Sequence, residues 1–413
     1  MSSPAHAPSP ENPAMAHLPA RTGRRPGGSP SRPLLLLHRW AGLLLGLVLA
    51  VIGATGSILS FQREIGAALN PALFHASGPA DPAIGFAAIR RLAEARGQAI
   101  GSIRPPDTVW PVWVVSPPRG ARGTLTAHYD PTTGTLLGER DPRRSVIGVT
   151  RELHDTLLLR DHGGRQAVGW LGVATLLFCA TGIWLWWPRT GGLGRALVTL
   201  RRRPALLLHL DLHRVVGIWM AAVLAVVAFS GIAIIFPGWF RPLLGIEAPA
   251  PAPQRPGPAG RGEAREAPRQ DRPGAPVGPD ADVIAAMVLT HLPGQEVTGV
   301  TPPARPGQPW SVTLRPLGTD PEIRGRTMLS LDATSGAVLQ ERGPRTRGAA
   351  GEALAQQRWL HGGALLGMPG RVVVFLSGLA MPLFFVTGLA AWLLRRRNRR
   401  RLRAAAFLSG SPA

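Results

Sequence analysis

Two histidines open two long apolar runs in the same sequence setting. Leu37-His38-Arg39-Trp40-Ala41-Gly42 heads one run and Leu212-His213-Arg214-Val215-Val216-Gly217 heads another. A small hydroxyl residue and a glycine follow each histidine by 17 and 18 positions, as Thr55-Gly56 and Ser230-Gly231. A second pair, Leu153-His154 and Leu360-His361, precedes the other two apolar runs, which begin after Gly164-Arg165 and Gly370-Arg371. Those arginines stand 16 and 17 positions ahead of Thr181-Gly182 and Thr387-Gly388. Ionisable side chains are rare inside membranes and mark function there. Neutral imidazole is a good axial ligand for haem iron, and an apolar four-helix interior is a natural haem pocket. Zinc or copper would want further ligands, and the runs supply no cluster of Cys, Asp or Glu. A single such histidine could equally be an interfacial residue bonded to backbone or headgroups; four at matched positions favour ligation. His209, one helical turn before His213, competes with it, and His162 is a weaker alternative to His154. Arg39, Arg214, Arg165 and Arg371 could pair with haem propionates or anchor the helices at the membrane interface. The Thr/Ser-Gly pairs read first as small residues for close helix approach, the hydroxyl bonding its own backbone; a flat cofactor would need the same small residues.

Four apolar runs must position these side chains. The spacing predicts membrane spans at 34–61, 166–187, 212–237 and 372–394, each long enough to cross a bilayer. Hydrophobic residues make up 45% of the 413-residue chain, yet the formal net charge is +22, and every basic side chain is arginine. The arginines cluster beside the apolar runs, which favours membrane topology over nucleic-acid binding. One cysteine, Cys179, excludes an internal disulfide framework. Residues 1–33 read as a disordered basic tail, 188–211 as an arginine-rich loop and 395–413 as a basic tail. All three fall on one side of four spans. The termini are therefore expected in the cytoplasm of a bacterial inner membrane, with the intervening segments 62–150 and 238–345 in the periplasm.

Those segments predict two small α+β units, 62–150 and 280–345, the second preceded by a Pro/Gly/Arg-rich linker within 238–279. Helices are expected at 83–95 and 280–291. Strands are expected at 109–115, 124–129 and 135–140 in the first unit, and at 297–300, 310–314, 327–331 and 337–342 in the second. Asp130-Pro-Thr-Thr-Gly134 and Asp332-Ala-Thr-Ser-Gly336 are matching turns, each followed by a Glu-Arg pair. The halves thus read as an internal duplication, with His154 and His361 carried on the entry segments 151–165 and 346–371.

The Leu-His-Arg-x-x-Gly helix starts, the Asp-x-Thr-x-Gly turns and the Leu-His…Gly-Arg entries together resemble the PepSY-associated transmembrane family, whose members are described as iron-regulated or siderophore-reductase-like membrane proteins. The resemblance covers about 34–395. It implies an α-helical membrane protein with two PepSY-like units and two b-type haems, with His38, His213, His154 and His361 as iron ligands. It implies electron transfer to a periplasmic acceptor such as a ferric siderophore, from a cytoplasmic or membrane donor. Its runner-up is a non-catalytic PepSY scaffold or sensor, or an accessory subunit of iron uptake. No Gly-rich nucleotide fingerprint follows a strand, so the chain carries no flavin-reductase signature of its own. Equivalent positions on parallel helices share a depth, which pairs His38 with His213 near the inner face and His154 with His361 near the outer one.

Overall fold

The computed structural model describes residues 32–118, 125–188, 191–246, 278–305, 307–323 and 325–408. Nearly all of the expected N-terminal tail, residues 247–277 of the expected linker, and the last five residues lie outside these. Four of the described helices are long and apolar enough to cross a membrane. In chain order the helices are α1 (Arg32–Ser60), α2 (Gln62–Ala68), α3 (Pro71–Phe74), α4 (Phe86–Ala95), α5 (Val146–Thr156) and α6 (Gly164–Trp186). Then come α7 (Leu193–Val198), α8 (Ala205–Ile235), α9 (Pro237–Leu243), α10 (Ala281–His291), α11 (Pro344–His361) and α12 (Gly367–Leu408).

The spans α1, α6, α8 and α12 form a closed ring. Helix α1 lies against α12 and α6, and α8 lies against the same two neighbours, so α1 and α8 face each other across the diagonal. Small residues allow the close approaches. Ser57 Oγ donates to the Phe375 carbonyl across the α1–α12 seam at 2.7 Å. A Cβ on Gly53 would stand 2.6 Å from the Gly378 carbonyl oxygen, so glycine is required there. Two spans begin or end beyond the expected limits. Helix α8 starts at Ala205 because Asp211, which would otherwise bring a bare charge into it, is bonded by Arg201 at 2.8 Å through both Nε and Nη2. Helix α12 runs on through the arginine run, about 63 Å in all at 1.5 Å per residue, since arginine is a good helix former. Helix α9 occupies the start of the segment expected to be linker.

The soluble part departs from the expected pair of units. Its strands are β1 (Ser102–Arg104), β2 (Trp113–Ser116), β3 (Thr126–Tyr129), β4 (Leu136–Arg140), β5 (Gln295–Thr301), β6 (Trp310–Pro316), β7 (Thr327–Leu331) and β8 (Val338–Arg342). They form one antiparallel sheet in the order β4-β3-β2-β1-β5-β6-β7-β8. The two meanders meet at β1 and β5, paired at Ile103 and Val300. The core is common to both. Ile89 and Ala93 of α4, Ile284 and Val288 of α10, and inward strand residues such as Ile103, Val115, Val300, Val312 and Leu329 are buried in one cluster. Burying one face of each meander against a shared pair of helices removes more apolar surface from water than two separate four-stranded units could.

The aspartate turns behave as the sequence suggests. Asp332 Oδ1 accepts from the backbone N–H groups of Thr334 and Ser335 at 3.0 and 2.8 Å. Those N–H groups hold its carboxyl below the ordinary carboxylate range. Asp130 accepts in the same way from Thr132 and Thr133, and also from Ser77. Gly134 and Gly336 close both turns at φ 70°, where a side chain would be strained.

Two buried arginines fasten the sheet to the bundle. Arg63 is 2% exposed; its Nη2 reaches both oxygens of Asp107 at 2.6 and 2.5 Å, and its guanidinium lies over Trp110. Arg371, at the start of α12, is 1% exposed. Its Nε donates to the Ser60 carbonyl at 2.9 Å and Nη2 to Glu64 at 2.7 Å, and Asp320 stands 3.7 Å from Nη1. The chain thereby ties the last turn of α1, the start of α12 and the loop after β6 into one charged knot.

Candidate functional site: two facing histidine pairs

Two histidines meet at each end of the bundle. His38 of α1 faces His213 of α8, with ring centroids 6.4 Å apart. At the end nearer the sheet, His154 faces His361, with centroids 6.2 Å apart. His154 is carried by α5, which lies against α1, and His361 by α11, which lies against α8. The entry segments therefore fold back onto the bundle. Helix α5 starts at Ser145, whose Oγ accepts from Gly148 N at 3.0 Å. It stops where Leu157 and Leu158 turn left-handed at φ 54° and 62°. The reversal after α11 uses Gly363 at φ 79° instead. His38 and Thr55, the residue of α1 beside His154, are 17 positions apart, or about 25 Å along the helix. The two pairs thus stand at opposite ends.

Each imidazole is oriented through Nδ1 by a hydroxyl on another helix. His38 Nδ1 lies 2.8 Å from Thr181 Oγ1 of α6, and His213 Nδ1 lies 3.0 Å from Thr387 Oγ1 of α12. Both threonines already donate their hydroxyl proton to a carbonyl, of Leu177 and Leu383, at 2.7 Å. The oxygen can then only accept from the ring, so Nδ1 carries the proton. His154 Nδ1 reaches the Ile52 carbonyl at 3.0 Å and His361 Nδ1 the Val227 carbonyl at 2.8 Å. A carbonyl has no proton to give, so the same tautomer follows. Thr55 and Ser230 hydroxyls add a second contact at 3.2 Å each. In all four rings Nε2 keeps its lone pair.

The Thr/Ser-Gly pairs expected to serve helix packing have this second use. The hydroxyl meets Nδ1, and the glycine lets the ring lie against the helix. A Cβ on Gly56 would stand 3.0 Å from His154 Cε1, and one on Gly231 3.1 Å from His361 Cε1. The hydroxyls also bond their own helix, so both readings hold. Sequence reasoning passed over Phe178 and Phe384, whose rings lie near His38 and His213 at 5.4 and 5.3 Å. The repeated string Phe-x-x-Thr-Gly, at 178–182 and 384–388, was the available signal.

The donor set can be tested against a metal. A metal–imidazole bond of about 2.0–2.1 Å on either side, with roughly 1.1 Å from ring nitrogen to centroid, spaces facing rings by about 6.3 Å. Both observed spacings match. Among the described residues no cluster of three His, Cys, Asp or Glu could hold a metal ion. A pair of imidazoles at this spacing leaves room for one ion between them, and an ion with only two protein ligands needs its remaining positions filled by a macrocycle, as in haem.

His209 has no ring contact with another histidine among the described residues, and its Nδ1 is buried without a partner. His162 is exposed in the turn after α5. Arg39 lies over Trp40 with its Nε buried and unpartnered, Arg214 is exposed, and Arg165 is exposed with Nη2 on the Ile234 carbonyl at 3.1 Å. Arg371 is engaged in the charged knot.

No curated protein matches the chain with significant similarity. The family model described as the PepSY-associated TM region matches residues 35–395, which takes in all four spans, the whole sheet and both histidine pairs. This multi-pass membrane protein therefore belongs to the PepSY-associated transmembrane family.

Proposed function

We propose that the protein is a di-haem electron-transfer protein of a bacterial inner membrane that reduces a ferric chelate, such as a ferric siderophore, on its periplasmic side. The observation that carries this reading is the approach of four imidazoles in two pairs, 6.4 and 6.2 Å between ring centroids, each with its Nδ1 bonded to a hydroxyl or carbonyl of the bundle. His38 and His213 hold one b-type haem at the end far from the sheet; His154 and His361 hold the other beside it. When bound, the haems supply one-electron couples at the two ends of the bundle. The protein's own part is to fix ring orientation through Thr181, Thr387, Thr55 and Ser230, and to exclude water with the surrounding apolar helices. Arg39, Arg214 and Arg165 remain in reach of the membrane interface for propionate pairing. Membrane lipid surrounds the bundle, and the electron donor is a separate cytoplasmic or membrane partner. The two meanders descend from one duplicated PepSY-like unit.

Purified from cells supplied with haem, the protein is expected to show a b-type visible spectrum with two haems per chain by pyridine haemochrome assay. Preparations lacking haem absorbance would overturn the reading.

The orientation has its own check. The arginine-rich flanks favour an orientation with α7 and both termini in the cytoplasm and the sheet in the periplasm. A reporter fused after residue 195 is expected to signal cytoplasm, and one fused near residue 130 periplasm; the reverse at either point refutes the topology.

A further inference from the structure

The two pairs differ in what receives the imidazole proton. Beside the sheet, His154 and His361 donate to peptide carbonyls at 3.0 and 2.8 Å. At the far end, His38 and His213 donate to threonine hydroxyls at 2.8 and 3.0 Å, and of that pair only His213 also has a peptide carbonyl, that of Phe384, as an acceptor. A peptide carbonyl is a better acceptor than an alcohol oxygen. The more strongly the acceptor draws the Nδ1 proton, the more electron density Nε2 gives its metal, and a more basic ligand favours the oxidised metal.

The carbonyl contacts depend on two glycines. Gly56 and Gly231 follow Ile52 and Val227 by four positions, so each lies one turn further along the same helix face. With no side chain there, the imidazole edge settles onto the helix and Nδ1 comes within bonding distance of the carbonyl. A methyl group at either site would press on the ring at 3.0–3.1 Å and lift it away. At the far end the equivalent glycines are slack. A Cβ on Gly182 or Gly388 would stand 3.7 or 3.8 Å from the ring, an ordinary contact.

We propose that the histidine pair beside the sheet holds its iron at a lower reduction potential than the far pair, and that Gly56 and Gly231 are the positioning residues that set this difference by giving His154 and His361 access to the Ile52 and Val227 carbonyls. The inference rests on the haem reading above. It makes the sheet side the stronger reductant. That suits an acceptor whose own ligands stabilise ferric over ferrous iron, the chemical class of tight ferric chelates.

The test is a spectroelectrochemical titration of the purified haem-loaded protein. Two one-electron steps are expected, separated by at least a tenfold difference in reduction equilibrium, which is 59 mV. His154→Ala should remove the lower step and His38→Ala the upper one. The Gly56→Ala/Gly231→Ala variant should raise the lower step by at least tenfold in equilibrium and leave the upper step in place. Gly182→Ala/Gly388→Ala should move neither. Coincident steps, or loss of the lower step in His38→Ala, overturn the proposal whether or not the glycine variants load with haem. An unmoved lower step in a loaded Gly56→Ala/Gly231→Ala protein overturns the role of the glycines. A wild-type protein without haem absorbance fails earlier, at the spectrum, and so marks failure of the haem reading itself.

Discussion

Alanine at His38 or at His213 is expected to cut bound haem from two per chain to one, and the haem that survives should be the same in both variants. His154→Ala and His361→Ala should each remove the other haem. The expectation follows from distance. His38 and His213 rings stand 6.4 Å apart, and His154 and His361 rings 6.2 Å apart, whereas about 25 Å of helix separates the two ends. One lost ligand leaves its partner facing a gap and leaves the distant pair untouched. Haem quantitation with redox titration reads the outcome: full haem in all four variants would sink the ligand assignment, and shared loss between His38→Ala and His154→Ala would sink the pairing. Thr181→Val and Thr387→Val should retain haem, since they remove the orienting group and keep the ligand.

The largest expected loss of stability comes from Arg371→Met. Its guanidinium neutralises Glu64 and Asp320, and Asp320 is buried beside it. Removing one partner of a buried ion pair typically costs about 3–5 kcal/mol, because the charges left behind have neither water nor a counter-ion. Thermal unfolding in detergent is expected to drop accordingly. Adding Glu64→Gln to Arg371→Met should recover part of the loss, the signature of an uncompensated charge. An unchanged melting temperature would show that the knot contributes little. The same variant separates two roles for this arginine: an anchor leaves haem content intact, while a propionate partner does not.

Much of this arrangement was legible in the sequence, for identifiable reasons. The four spans stand out because their apolar runs are long and their flanks carry arginine. The aspartate turns stand out because Asp-x-Thr-x-Gly satisfies its own backbone locally. Six of the seven expected strands lie within a few residues of their place, and the seventh, expected at 109–115, covers only the first part of β2. Strand β1 was missed because it has three residues and borders Arg104-Pro105-Pro106, a poor strand signal. The single sheet could not be foreseen, since nothing in Ser102–Arg104 announces a partner in the other half of the chain. The orienting groups of the histidines were hidden for a related reason. Thr181 belongs to His38 and Thr387 to His213 across helix seams that sequence spacing does not encode. The early start of α8 turned on Asp211 and Arg201, a tertiary contact that overrode the charge signal.

The pairing of β1 with β5 also constrains the order in which the protein can be made. When the first meander emerges it ends in an open edge at Ser102–Arg104, and the strand that covers that edge is not yet synthesised. Two further helices, α6 and α8, must enter the membrane first. During that interval the newborn half-sheet exposes unpaired backbone and one side of an unfinished core, the state most prone to joining another chain edge to edge. Maturation of this protein is therefore bound to insertion: the sheet closes only after α6 and α8 have entered the membrane, and a ribosome stalled within α8 would leave a membrane-tethered fragment with an adhesive strand.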